Sequence, residues 1–379
     1  MQMGAATLDK EARVRIGIVG LGAVAQAVHL PLLSRLSDLF ELEAVADLSP
    51  ATTRLVGERY GIPRRYGTLA ALLADGEVDA VAILTSGSHG SAVAEALAAE
   101  VPVLCEKPLA YTVAEADALA EPGGRVAVGY MKLYDPAVIR ARSLLAERGA
   151  VRSVEVTVLH PSSPAQLAHA RLAAPAGDVP DAVLAALVDA GRRLEEQALG
   201  AAPPELRRLY VDVLLSSVVH DLAVVRALVG DPVSFEHVDV WPEGSSPPSV
   251  AIHGCFPGGA RLAIRWHYLE GHPVYREEIR VHDEQGTVSL TFPSPYLLHA
   301  PTELAVVGGD AGSERNTVLR STVEAFEEEL VAFHRLVTEG EPFAAGVAEG
   351  RTDIVTCQRI VRRLAEQRGL ELGGEAAAA

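Results

Sequence analysis

Up to about Tyr130 the chain alternates short β-branched apolar runs with longer segments of helical spacing. The runs Val14–Val19, Leu42–Ala46, Ala80–Leu84, Val101–Cys105 and Val126–Gly129 read as buried strands. The amphipathic or Ala-rich stretches Ala23–Leu36, Ala51–Tyr60 and Gly90–Ala99 read as helices. Strand and helix in strict alternation predict right-handed βαβ crossovers and a parallel sheet covered on both faces. After Tyr130 the period changes. A helix over about Pro136–Arg148 leads into the alternating run Val151–His160. VSFEHVDVW, SVAIHGCF, ARLAIRWHYL, REEIRVHDE and TVSLTF follow much later. In ARLAIRWHYL, Leu262, Ile264, Trp266 and Tyr268 share one face, and Arg261, Arg265 and His267 share the other. Such period-two runs predict a large open, mainly antiparallel sheet in an α+β unit.

The division expected is a loose tail at 1–13, a dinucleotide-binding Rossmann unit at 14–130, an α+β unit at 131–370 and a disordered tail at 371–379. The stretch at about 161–200 is rich in Ala, Leu and Pro. Its apolar residues Val183, Leu184, Leu187, Val188 and Leu194 recur at helical spacing, so it reads as a helical insertion. Thr322–Thr338 and Gly350–Arg368 read as closing amphipathic helices. One face of the open sheet needs a cover, which predicts a homodimer or homotetramer through that face.

Of the 379 residues, 49% are hydrophobic, enough for two cores. The net charge of −17, with no basic block, argues against nucleic acid or an anionic membrane as a partner. Cys105, Cys255 and Cys357 are dispersed, without ligand-like spacing, so neither a disulfide framework nor a metal site is expected. No apolar leader opens the chain, and a cytoplasmic setting is expected.

Candidate chemistry begins at Gly20-Leu-Gly22-Ala23-Val24-Ala25, which follows a strand and opens a helix. Gly20 permits the tight turn, Gly22 lets the backbone approach a pyrophosphate, and small Ala25 lets helix and strand pack closely. ELEAVAD supplies Asp47 at the end of the next strand. A carboxylate there accepts ribose hydroxyls and repels a 2′-phosphate, and Leu48-Ser49-Pro50 brings no adjacent base, so NAD is favoured over NADP. A second signal is VPVLCEKPLA, where an apolar strand ends in Glu106-Lys107-Pro108. Lone charges are costly to bury. In such sheets, however, carboxyl strand ends face the ligand crevice.

GIVGLGAVA, AVAD, AVAILTSGSHGSAVAEAL, VPVLCEKPLA and VAVGYMKLYDPA together resemble the Gfo/Idh/MocA oxidoreductases. The resemblance is dense over residues 14–140. It implies that Lys107 sits beside the nicotinamide and the substrate oxygen, that Glu106 contacts the cofactor, and that Thr85, Ser86 and His89 line its ribose. Pro108 would fix the turn, often through a cis bond. It also implies a substrate cavity entered by Tyr130, Lys132 and Tyr134. The family's helix motif, roughly Asp-x-Gly-x-His, is altered here: His220 and Asp221 are present, but Ser216 and Val218 stand in the Asp and Gly positions. Asp212, two α-helical turns before His220, would lie ~12 Å away along the axis on a neighbouring face, too far to replace the missing carboxylate directly. The expectation is an NAD-dependent dehydrogenase or reductase of a sugar, cyclitol or related compound, with Lys107 and His220 sharing the proton and Ser216 and Asp221 near the substrate. Ser216 leaves two alternatives: an NAD-retaining lyase or epimerase, or a catalytically weak dinucleotide-binding regulator.

Overall fold

The computed structural model describes residues 13–120, 123–173, 176–310 and 312–379. The expected loose tail at 1–13 lies, but for Arg13, outside them. Six parallel strands form the first sheet: β1 (Val14–Val19), β2 (Phe40–Ala46), β3 (Arg64–Tyr66), β4 (Ala80–Ile83), β5 (Val103–Glu106) and β6 (Val126–Gly129). Their order is β3-β2-β1-β4-β5-β6, so the direction of winding reverses between β1 and β4. β4 is buried on both faces, with Val81 and Ile83 in one apolar core and Ala80 and Ala82 in the other. That is why these strands read as continuous apolar runs. β3 has no such run, since Arg-Arg-Tyr lies at the sheet edge.

The second sheet has eight strands: β7 (Ser153–His160), β8 (Ser234–Trp241), β9 (Ser249–Cys255), β10 (Arg261–Tyr268), β11 (Arg276–Asp283), β12 (Gly286–Phe292), β13 (Glu303–Asp310) and β14 (Ser313–Arg320). They run in the order β14-β13-β12-β11-β7-β10-β9-β8, antiparallel except for the pair β7/β10. In β10, Leu262, Ile264 and Trp266 are buried while Arg261 and Arg265 are exposed. The helical segments 204–229 cover the apolar face, and Trp266 donates its indole N–H to Ser217 Oγ at 2.9 Å.

The 161–200 stretch is helical over Ser163–Leu167 and Asp181–Leu199, and Val183, Leu184, Leu187 and Val188, which set its period, are exposed. The rest of the stretch reaches back to the first sheet. Residues 371–379 are also ordered by contacts: Ala376 is fully buried, and Glu375 accepts the Val113 and Ala114 amides at 2.6 and 3.0 Å. A carboxylate capping a helix start accounts for the order of a tail whose composition reads as disordered. Among the described residues, no helix is long and apolar enough to cross a membrane.

Candidate active site

The crevice opens at the carboxyl edge of the first sheet, where the winding reverses between β1 and β4. Gly20 turns the chain there with φ +89°, and a Cβ on it would lie 2.7 Å from the Thr85 nitrogen. Only glycine fits the conformation and the contact together. A Cβ on Gly22 would meet nothing within 4 Å, so open space fronts the turn where a diphosphate would approach. The helix that follows is π-wound over Ala25–His29 before continuing as Leu30–Arg35.

A cavity of about 480 Å³ connects this turn to the strand ends and to the helix over the second sheet. Gly22, Ala23 and Val24 line it on one side, and Thr85, Ser86, His89, Glu106, Lys107 and Pro108 on the floor. Val211, Asp212, Ser216 and His220 close the opposite wall, with Tyr111, Met131, Tyr296 and Phe326 between. The Lys107-Pro108 peptide is cis. His89 ties the floor together, its ring nitrogens 2.6 Å from the Pro108 carbonyl and 2.7 Å from that of Thr85.

Lys107 Nζ donates to the Ser216 carbonyl at 2.9 Å, linking strand end to helix. Burial lowers its pKa, as does the nearby Lys132 charge, while Glu106 opposes them. Glu106 answers to a different balance. Burial pushes its carboxyl up, but His29 Nε2 at 3.1 Å, with the charges of His29 and Lys107, brings it below the usual range. His220 is pushed well below the ordinary histidine value by burial, then by Lys107 and Lys132. Its imidazole is therefore neutral at neutral pH, and among the described residues its buried Nδ1 has no hydrogen-bond partner.

Several expected site residues stand elsewhere. Asp47 lies at the end of β2, outside the cavity lining, where its carboxylate accepts the Leu21 amide at 2.8 Å and the Ser49 amide at 2.8 Å. Ala25 is buried beneath the turn. Tyr130, Lys132 and Asp221, expected near the substrate, do not line the cavity and are buried. Tyr130 donates to Asp353 and packs edge-on against His220 with centroids 6.2 Å apart. Lys132 pairs with Glu277, which also accepts the Tyr275 hydroxyl at 2.5 Å. Burial, then the neighbouring Glu277 charge, raises the Asp221 carboxyl well above its usual range, with Lys132 opposing. Lys132 meets its charge demand inside the protein through Glu277, so it need not face outward.

Counting α-helical turns sets Asp212 on a neighbouring face, out of reach, but it lines the cavity with Ser216 and His220. The helix is π-wound over Leu209–Val218, so the α-helical count does not hold there. Burial raises the Asp212 carboxyl, with Arg208 opposing. The Ser216 hydroxyl turns back onto the Asp212 carbonyl. Tyr296, between β12 and β13, and Phe326, after β14, carry no sequence signal, because they reach the cavity from irregular or helical segments far along the chain.

The model of an oxidoreductase family with an NAD-binding Rossmann fold, Gfo/Idh/MocA, matches residues 14–128. An inositol 2-dehydrogenase of Acidothermus cellulolyticus is 36% identical over 138 residues, covering 35% of this chain and 40% of that protein's length. The chain thus spans about two fifths of that relative. A myo-inositol 2-dehydrogenase of Thermotoga maritima is 22% identical over 375 residues, 95% of this chain and 98% of that protein. The structure of a levoglucosan dehydrogenase in complex with NADH superposes with a TM-score of 0.68 at 16% identity, covering 94% of this chain and 98% of that one. At that identity the likeness concerns the fold. With the glycine turn and the Glu-Lys-Pro strand end in place, residues 14–128 match the Gfo/Idh/MocA oxidoreductase family, and the rest of the chain shares the fold of the solved structures.

Proposed function

We propose that the chain is an NAD(H)-dependent dehydrogenase or reductase of a sugar, cyclitol or related polyhydroxy or keto compound. The observation that carries this reading is the convergence on one cavity of the glycine turn, Lys107 and His220, contributed by three separate parts of the chain. The space before Gly22 and the donors of the following helix start suit a diphosphate. A nicotinamide cofactor, when bound, supplies the hydride acceptor or donor.

The chain's own residues manage the proton. Lys107, oriented by the Ser216 carbonyl and lowered in pKa by burial, takes the proton of a substrate hydroxyl in oxidation and returns it in reduction. His220, held neutral, hydrogen-bonds the same or a neighbouring hydroxyl without adding positive charge. Glu106, ionised and fixed by His29, balances the cavity's cations. Asp212 replaces the missing helix carboxylate as an acceptor for a substrate hydroxyl on that wall.

The test is incubation of purified protein with NAD and a panel of polyols and sugars, following NADH. No turnover on the panel in either direction overturns the reading. Conversion with co-purified NAD and no net NADH release makes the protein a lyase or epimerase instead. We also propose a cytoplasmic homo-oligomer joined through the second sheet. Val318 and Leu319 of β14 are each 44% exposed, and light scattering that gives a monomer refutes the assembly.

A further inference from the structure

The 161–200 segment reaches the far end of the crevice, at β2. His169 Nε2 donates to the Tyr296 carbonyl at 3.0 Å, and the Ala173 amide donates to Gln26 Oε1 at 2.8 Å. Arg59 donates to the Arg171 carbonyl at 3.3 Å. These contacts carry the segment across the helix after the glycine turn and the Pro50–Arg59 helix after β2. It then presents Asp178. One carboxylate oxygen accepts the Ser49 hydroxyl at 2.5 Å, and the other accepts the Ala51 amide at 2.8 Å.

Residue 49 is therefore bracketed by two carboxylates. Its amide donates to Asp47, at the end of β2, and its hydroxyl donates to Asp178, from a segment 129 residues away in sequence. In a sheet of this winding, the carboxylate ending the second strand faces the adenosine 2′-hydroxyl. The hydroxyl and amide just beyond it, in the first turn of the next helix, are the donors that a 2′-phosphate would use. Here Asp178 has taken both.

We propose that Asp178 is a specificity determinant of the crevice: its carboxylate fills the anion seat beside Asp47 and selects NAD(H) against NADP(H). This rests on the reading of the crevice as a dinucleotide site. NAD, with only hydroxyls at that position, can use Asp47 and leave Asp178 in place. A 2′-phosphate has to displace Asp178 or lie against it, two like charges sharing one pair of donors. The Ser49 hydroxyl and the Ala51 amide hold the Asp178 carboxyl below its usual range, so it is charged at neutral pH, and Arg54 adds to this. Removing the carboxylate leaves a hydroxyl, an amide and the Arg54 cation open to a phosphate.

The experiment measures dissociation constants of NADH and NADPH for the full chain, as wild type and as Asp178→Ala and Asp178→Asn. The expected result is that Asp178→Ala lowers the ratio of the NADPH to the NADH constant at least about tenfold, through tighter NADPH. NADH should stay within about threefold. Asp178→Asn, which removes the charge and keeps one acceptor, shifts the ratio in the same direction by less and serves if the alanine variant does not fold. Asp181→Asn, at the start of the next helix, leaves the ratio unchanged. An unchanged ratio in both Asp178 variants overturns the proposal, as does a parallel change for the two dinucleotides, which would mark a purely structural contact. If wild-type protein binds neither dinucleotide, the reading of the crevice itself fails and takes this assignment with it.

Discussion

Replacing Lys107 with methionine keeps the length and apolar stem of the side chain and removes the ammonium. In the structure that ammonium makes one hydrogen bond, to the Ser216 carbonyl at 2.9 Å, across the wall of the cavity. Losing a charged donor costs about 1.5–3 kcal/mol, but relief of the ammonium's desolvation offsets much of this, so the fold survives. Catalysis has no such offset. Removing a positioned general base slows turnover about 10²–10⁴-fold. His220 remains on the same cavity as a weaker acceptor, which places the expected loss in kcat at about 10²–10³-fold, or about 3–4 kcal/mol of barrier. The pH profile separates this from a packing defect. The folded pKa of Lys107 is lowered, so in the oxidation direction kcat rises with pH as the ammonium deprotonates and levels off above that pKa. Reduction, which needs the ammonium, falls over the same range. His220 is neutral throughout, since its pKa is displaced well below the ordinary value, and adds no limb there. The assay is kcat at saturating NAD from about pH 6 to 10 for both proteins. A loss under about tenfold, or an alkaline limb that persists in the variant, refutes the assignment of Lys107 as the base.

Ser216→Asp places a carboxylate beside the Lys107 ammonium and favours its charged form, so the limb in oxidation moves to higher pH; a limb that moves to lower pH contradicts this geometry. Gly20→Ala forces a side chain into a φ of +89° and to within 2.7 Å of the Thr85 nitrogen. Dinucleotide affinity should fall about tenfold or more and the melting temperature should drop by several degrees, about 1–2 kcal/mol arising from the backbone alone. Lys132→Met leaves Glu277 buried without its cation, an expected loss of about 3 kcal/mol read by denaturant titration. A change below about 0.5 kcal/mol would mean that the pair is no more than a surface-grade contact.

Where burial is two-sided or alternates strictly, the fold can be read from the residues. The runs at Val14–Val19 and Ala80–Ile83 announce parallel strands because both their faces need apolar side chains. β14 could not be read this way: all eight of its residues are exposed, so Ser313–Arg320 has no hydrophobic period to display. Lys107 and His220 could be located because a strand end and a helix motif each carry a local signal. Asp212 could not, because the π winding that sets its direction leaves no mark in α-helical counting. Nor could Asp178, whose partners lie more than 120 residues away and depend on how a long segment folds back. The tail at Glu375 shows the same limit, since a composition of Gly, Glu and Ala says nothing of the helix start waiting to be capped.

His89 joins the loop after β4 to the turn after β5 through two short contacts from a single ring. Mechanically this is a splint. The segment bearing Thr85 and the segment bearing Lys107 are held together, because any tilt of one drags the other through the imidazole. Spacing across the bottom of the cleft is thereby set within the first sheet's own loops. New ligand preferences can arise from the helix and second-sheet sides while the floor keeps its alignment.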